Sequence, residues 1–142
     1  MTSKWLIPMD GSDNALRAVD HVIRAAAQAS AKPEIFLVNV QHPLSGDVTT
    51  FVNREVVQDF HREEGRKALA AAQQKLDAAG LPYTHHILVG EPALLICEFA
   101  KTHGCDQIIM GTRGLGTIGG MLLGSVTTKV VHLCDIPVVL VK

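Results

Sequence analysis

The sequence predicts an α/β protein: an open, parallel β-sheet with helices packed on both of its faces. Three observations predict it. Short apolar runs alternate with segments of helical periodicity along the whole chain. Several of those runs are near-continuous in apolar residues, as strands covered on both faces require, and parallel strands need right-handed helical crossovers between them. Third, six of the twelve glycines fall within residues 111–124, between an apolar run and a helix start. A strand, a glycine-rich loop and a helix in that order can hold phosphate, because backbone N–H groups approach an anion closely and the helix dipole adds positive potential.

The first strand spans Lys4 to Met9 and is closed by Asp10-Gly11-Ser12-Asp13, which is both a turn and a helix N-cap cluster. From Asn14 to about Ser30, Leu16, Val19, Val22, Ile23 and Ala26 recur at helical spacing, until Lys32-Pro33 breaks the helix. Glu34 to Val40 is a second buried strand, and Gln41 to about Thr50 a polar loop containing Pro43 and Gly46. A longer helix follows, with Val52, Val56, Phe60, Leu69, Ala72 and Leu76 on one face; Gly80 and Pro82 stop it. Tyr83 to Val89 is the third strand. Glu91-Pro92 opens a very apolar helix through Ala100, ending near Gly104. Gln107 to Met110 is the fourth strand, Ser125 to Leu133 the last helix, and Pro137 to Val141 the fifth strand.

At 142 residues the chain is expected to form one domain with a full core. Its 47% hydrophobic and 19% charged residues exclude a disordered chain. A net charge of −1 without a stripe of Lys and Arg argues against nucleic acid as a partner. No apolar run approaches the roughly 20 residues of a membrane span, and the N-terminal run is too short for a signal peptide. Cytoplasmic localisation follows as the expectation. Cys97, Cys105 and Cys134 are odd in number and lack metal or redox spacing, so they read as buried free thiols.

In an open parallel sheet a ligand sits at the carboxyl ends of the strands, where strand order reverses. Asp10 and Gly111 meet there if the first and fourth strands are neighbours. Three nucleotide motifs compete for the glycine loop. Gly114-Leu115-Gly116-Thr117-Ile118-Gly119 matches the dinucleotide pattern by letter, but it does not open a helix at once and no acidic residue ends a following strand. The P-loop pattern fails because Gly124-Ser125 has no lysine between them. The third fits: Gly111 and Gly114 are separated by two residues, Gly114 and Gly124 by nine, and Ser125 follows.

This spacing resembles the ATP-binding signature of the universal stress protein family. The resemblance extends to Ile7-Pro8-Met9-Asp10-Gly11-Ser12, Leu37-Val38-Asn39-Val40 and Asp135-Ile136-Pro137-Val138-Val139-Leu140-Val141. It implies a Rossmann-like sheet of five parallel strands in the order 3-2-1-4-5, an adenine nucleotide as ligand, and usually a dimer. Carried over by position, Pro8, Met9 and Asp10 line the adenosine side, with Asp10 near the ribose hydroxyls and Val40 reading the adenine edge through its main chain. Gly111 lies by the ribose; Gly114, Gly124, Ser125 and Val126 hold the phosphates of ATP, which Mg²⁺ accompanies, with the Thr127 hydroxyl at the same helix start and Met110 as a further binding residue. Met9 departs from the family pattern, in which a smaller or polar residue is common. Arg113 has two readings, pairing with a phosphate or projecting into solvent.

Catalytic machinery is not evident. Asp10 reads equally as a general base and as a turn former. No Ser-His-Asp or Cys-His arrangement emerges from the spacing. His85 and His86, adjacent in a strand, point to opposite faces and cannot share a metal. His103 and His132 fall at helix C-terminal ends, and Lys129 on a helix surface. A phosphoacceptor receiver domain is disfavoured because the third strand ends Leu88-Val89-Gly90 without a carboxylate. The reading is therefore an ATP-binding, stress-response sensor or regulator with an unidentified downstream protein partner. A nucleotide-using enzyme of the adenylyl-transfer or hydrolase type is the alternative; a ligand-free dimerisation module has no use for the glycine loop. The apolar fifth strand, Pro137 to Val141, is expected to lie on a sheet edge and to pair with its own copy in a homodimer.

Overall fold

The computed structural model describes residues 2–112 and 124–142. The chain runs β1 (Lys4–Pro8), α1 (Asp13–Gln28), β2 (Glu34–Gln41), α2 (Gly46–Phe51), α3 (Arg54–Ala78), β3 (Tyr83–Val89), α4 (Pro92–Thr102), β4 (Gln107–Gly111), α5 (Ser125–Leu133) and β5 (Val138–Val141). The strands form one parallel sheet in the order β3-β2-β1-β4-β5. Register sets Ile7 opposite Leu37, Trp5 opposite Gln107 and Ile109 opposite Val139. The reversal of strand order therefore lies between β1 and β4, as the resemblance implied.

Because successive strand residues point to opposite faces, each strand feeds two cores. On one face Ile7, Ile35, Leu37 and Ile109 meet Val19 and Val22 of α1 and Leu69, Ala72 and Leu76 of α3. On the other, Leu6, Phe36, Val38 and Ile108 meet Ile96 and Phe99 of α4 and Val130 of α5. Fully burying one such side chain contributes about 1.5–3 kcal/mol. The helix α1 begins where Ser12 Oγ accepts from Ala15 N at 3.2 Å. Its buried residues, Ala15, Ala18, Val19, Val22 and Ala26, keep the helical spacing that identified it.

Three expectations are corrected. The polar loop at 41–50 contains a short helix, α2, capped by Ser45 Oγ accepting from Val48 N at 3.3 Å. It buries no residue, so no apolar stripe could reveal it. Val56 and Phe60 do not continue the buried face of α3: they are 52% and 45% exposed, and the buried positions upstream of Leu69 are His61 and Gly65. Gly65 is required there, because a Cβ would lie 2.7 Å from three atoms of the Ile87 side chain.

The third correction concerns the cysteines. Cys97 and Cys134 are joined by a disulfide across 37 residues, with Cα atoms 5.4 Å apart, and only Cys105 is a free, buried thiol. The pairing arises because α4 and α5 lie side by side on one sheet face, a neighbourhood that cysteine spacing does not encode. Burial, and next the Asp106 carboxylate, push the Cys105 thiol up to about 11.

Candidate functional site

A cleft of about 520 Å³ opens at the carboxyl ends of β1, β2 and β4, at the point where strand order reverses. It brings together Pro8, Met9, Asp10, Val40, Met110, Gly111, Gly124, Ser125, Val126 and Thr127, all of which the sequence reading had placed in one site. Arg113 and Gly114 lie outside the described residues. Ser12, Asn14, Val38, His42, Pro92 and Ile96 also line the cleft, and sequence reasoning had missed them. A signal was available for Ser12 and Pro92: helix starts that follow a strand in an open sheet face this crevice. Ile96 lies one turn beyond Pro92 and comes with it.

The β1 end of the cleft is built from local hydrogen bonds. Asp10 Oδ1 accepts from Ser12 N at 2.9 Å, so its carboxylate shapes the turn that leads into α1. Met9 is held at both backbone groups: its N–H donates to the Val38 carbonyl at 2.7 Å, and its carbonyl accepts from Asn39 Nδ2 at 2.9 Å. Asn39, only 4% exposed, interrupts the apolar run of Ile35 to Val40 in β2. Its Oδ1 accepts from Gln41 Nε2 at 3.0 Å, and the same Nε2 donates to the His61 carbonyl at 2.7 Å. His61 Nδ1 donates to Gln41 Oε1 at 2.8 Å. A buried polar chain thus runs from α3 to the cleft. Asn39→Leu is expected to cost about 1–3 kcal/mol, because it takes the Asn39 donor from the Met9 carbonyl and one of two acceptors from Gln41 Nε2, which keeps its bond to the His61 carbonyl. Denaturant titration of the variant checks this; an unchanged midpoint would show the chain to be energetically idle.

Gly111 closes the other side of the strand reversal. A Cβ there would lie 1.8 Å from the Asn14 carbonyl oxygen and 2.3 Å from its carbon. Glycine is therefore demanded by the approach of the first turn of α1, a constraint separate from any ligand. Beyond it, Thr112 N donates to the Val141 carbonyl at 2.8 Å, and the Arg17 guanidinium reaches both the Asn14 side chain and, at 3.5 Å, the Thr112 carbonyl. The chain is thus pinned from two sides as it enters the glycine-rich segment.

On the far side α5 starts at Gly124 with no side-chain cap. The four other helices are capped by Ser12, Ser45, Asn53 and Glu91. The first backbone N–H groups of α5 have no intrahelical partners, no side chain among the described residues caps them, and Gly124 to Thr127 lie at the cleft. Glu91, read as a helix start only, has two roles: Oε2 accepts from Leu94 N at 2.8 Å, and Oε1 lies 3.7 Å from Lys129 Nζ of α5.

The histidines stand apart from the cleft, His42 excepted. His85 is exposed, whereas His86 packs edge-on against Phe99 with ring centroids 4.8 Å apart. Burial pushes the His86 imidazole down, with the neighbouring His103 adding to it. His103 caps α4 and stacks on Phe99 at 3.8 Å. Among the described residues no cluster of three His, Cys, Asp or Glu side chains is poised for a metal, and no helix is long and apolar enough to cross a membrane.

Fold and cleft together define an open-sheet, doubly wound α/β protein with its crevice at the strand reversal. The family profile described as "Universal stress protein family" matches residues 1–142, and the chain belongs to that family. It is 34% identical to universal stress protein MJ0531 of Methanocaldococcus jannaschii over 98% of this chain and 81% of that one. The solved structure of MJ0577 from the same organism is 31% identical, with a TM-score of 0.79, covering 100% of this chain and 96% of that one. A universal stress protein solved in complex with cAMP is 28% identical, with a TM-score of 0.65, covering 99% of this chain and 97% of that one.

Proposed function

We propose that this universal stress protein binds ATP, accompanied by Mg²⁺, and acts as a nucleotide-dependent sensor or regulator with at most slow hydrolysis. The whole chain acts as one such domain. The observation that carries the reading is the start of α5 at the cleft, which no side chain among the described residues caps: Gly124, Ser125, Val126 and Thr127 present N–H donors and a positive dipole end to the position where phosphates would lie. Pro8, Met9, Asp10 and Val40 border the opposite, adenosine side, and Met110 and Gly111 the ribose. Glycine spacing supports a triphosphate: Gly111, Gly114, Gly124 and Ser125 stand in the spacing of the ATP-binding signature, with Arg113 inside the loop. The cleft volume suits a ligand of this size, since such sites are typically about 300–1,000 Å³. The relative solved with cAMP supports the adenine nucleotide class.

Gly124→Asp tests the phosphate assignment. A carboxylate there fills the space beside the helix start and repels phosphate, so ATP affinity is expected to fall at least about tenfold, roughly 1.4 kcal/mol. Calorimetric titration that finds the same affinity in the folded variant would overturn the assignment.

The assembly proposed with this function is a homodimer through strand 137–141. Supporting it, β5 lies on a sheet edge, and the neighbouring Val131 and Leu133 of α5 are 43% and 52% exposed. Light scattering at micromolar concentration is expected to give twice the chain mass; a monomeric mass would refute the dimer.

A further inference from the structure

The Cys97–Cys134 bond joins α4 to α5, the two helices whose other residues line one side of the cleft, and neither cysteine is itself a lining residue. Ile96, the residue before Cys97, lines the cleft from α4; Cys134 caps the far end of α5, whose near end delivers Gly124 to Thr127. The two helices are joined at two levels, by the Glu91–Lys129 ion pair at the start of α4 and by the disulfide farther along. The side chains of the ion pair are 62% and 48% exposed, and pairs so open to solvent contribute little. The covalent link is the stronger of the two. The chain it closes contains β4, Gly111, the glycine-rich segment and α5. Both of its cysteines are partly exposed, whereas Cys105 is buried.

We propose that Cys97–Cys134 is a reversible thiol–disulfide site whose redox state sets the affinity of the cleft for adenine nucleotide. This rests on the nucleotide reading above. A thiolate of an external dithiol attacks one sulfur and expels the other cysteine as thiolate, giving a mixed disulfide; the second thiolate of the dithiol then resolves it. Two electrons and two protons pass to the protein, leaving Cys97 and Cys134 as thiols and the reductant as a disulfide. A disulfide oxidant reverses the exchange. With the bond intact, α5 is held against α4, and its first N–H groups are in place before the ligand arrives. With it broken, binding must order the start of α5 at a cost in affinity. Coupling of this kind is reciprocal: nucleotide must stabilise the disulfide by the same factor.

Calorimetric titration of the oxidised protein, the dithiothreitol-reduced protein and the Cys97→Ser/Cys134→Ser variant with ATP and Mg²⁺ tests this. Kd is expected to rise roughly fivefold in the reduced protein and the double variant, and to stay unchanged in a Cys105→Ser control. On the wild-type protein, equilibration with glutathione buffers should give a reduction potential about 20 mV more negative with saturating ATP, the same fivefold factor for a two-electron couple. Equal Kd in both redox forms together with an unmoved potential would overturn the coupling and leave nucleotide binding standing. Absence of ATP binding in both forms would overturn the nucleotide reading, and the redox coupling with it.

Discussion

Gly111→Ala is expected to destabilise the protein by about 3 kcal/mol, at the upper end of what overpacking a tight site costs. The added Cβ would lie 1.8 Å from the Asn14 carbonyl oxygen, and the obstacle is helix backbone rather than the end of a flexible side chain. Relief requires the first turn of α1 to move away from β4. That turn carries Ser12, Asn14 and Ala15 to the cleft, and Arg17 to the Thr112 carbonyl. ATP affinity should therefore fall along with stability, in contrast to Gly124→Asp, which should weaken binding while the fold survives. Thermal unfolding and calorimetric titration of both variants separate the two roles. A Gly111→Ala protein as stable as the wild type would show that α1 is not packed against β4 as closely as described here.

Breaking the Cys97–Cys134 bond is expected to lower stability by about 3–4 kcal/mol, mainly because the unfolded chain regains the freedom of the closed loop. The loop spans 37 residues. For a chain of this length the loss corresponds to a fall in melting temperature of about 10 °C. Differential scanning calorimetry with and without dithiothreitol measures it, and the Cys97→Ser/Cys134→Ser variant should match the reduced wild type. A melting temperature indifferent to reductant would mean that the two sulfurs do not form a lasting bond in solution. Cys105→Ser should leave the reductant effect intact, since that thiol lies in the core and takes no part in the bond.

Legibility of the fold follows from which signals are local. The helix α1 was readable because its buried residues sit three or four apart and Ser12 stands one residue ahead. The strands β2 and β4 were readable because doubly covered strands are apolar nearly throughout. The short α2 was invisible for the opposite reason, since it buries nothing. Val56 and Phe60 misled because helical spacing reports a face, not whether anything covers it. The sheet fits Gly65 rather than a larger side chain against Ile87. Asn39 stood out as a lone polar residue in an apolar run, but nothing local showed that its amide holds the Met9 carbonyl at the cleft.

The order of the five strands and of the four longer helices, the family to which the chain belongs and the place of the cleft followed from the sequence by itself, because periodicity, turn residues and glycine spacing act over a few neighbouring positions. The pairing of Cys97 with Cys134, the need for glycine at 111 and the polar chain from His61 to Met9 were decided only by tertiary structure. Each depends on atoms that crossover connections bring together from distant parts of the chain. Such a juxtaposition is set by how helices seat on a twisted sheet, and no local pattern of residues records it.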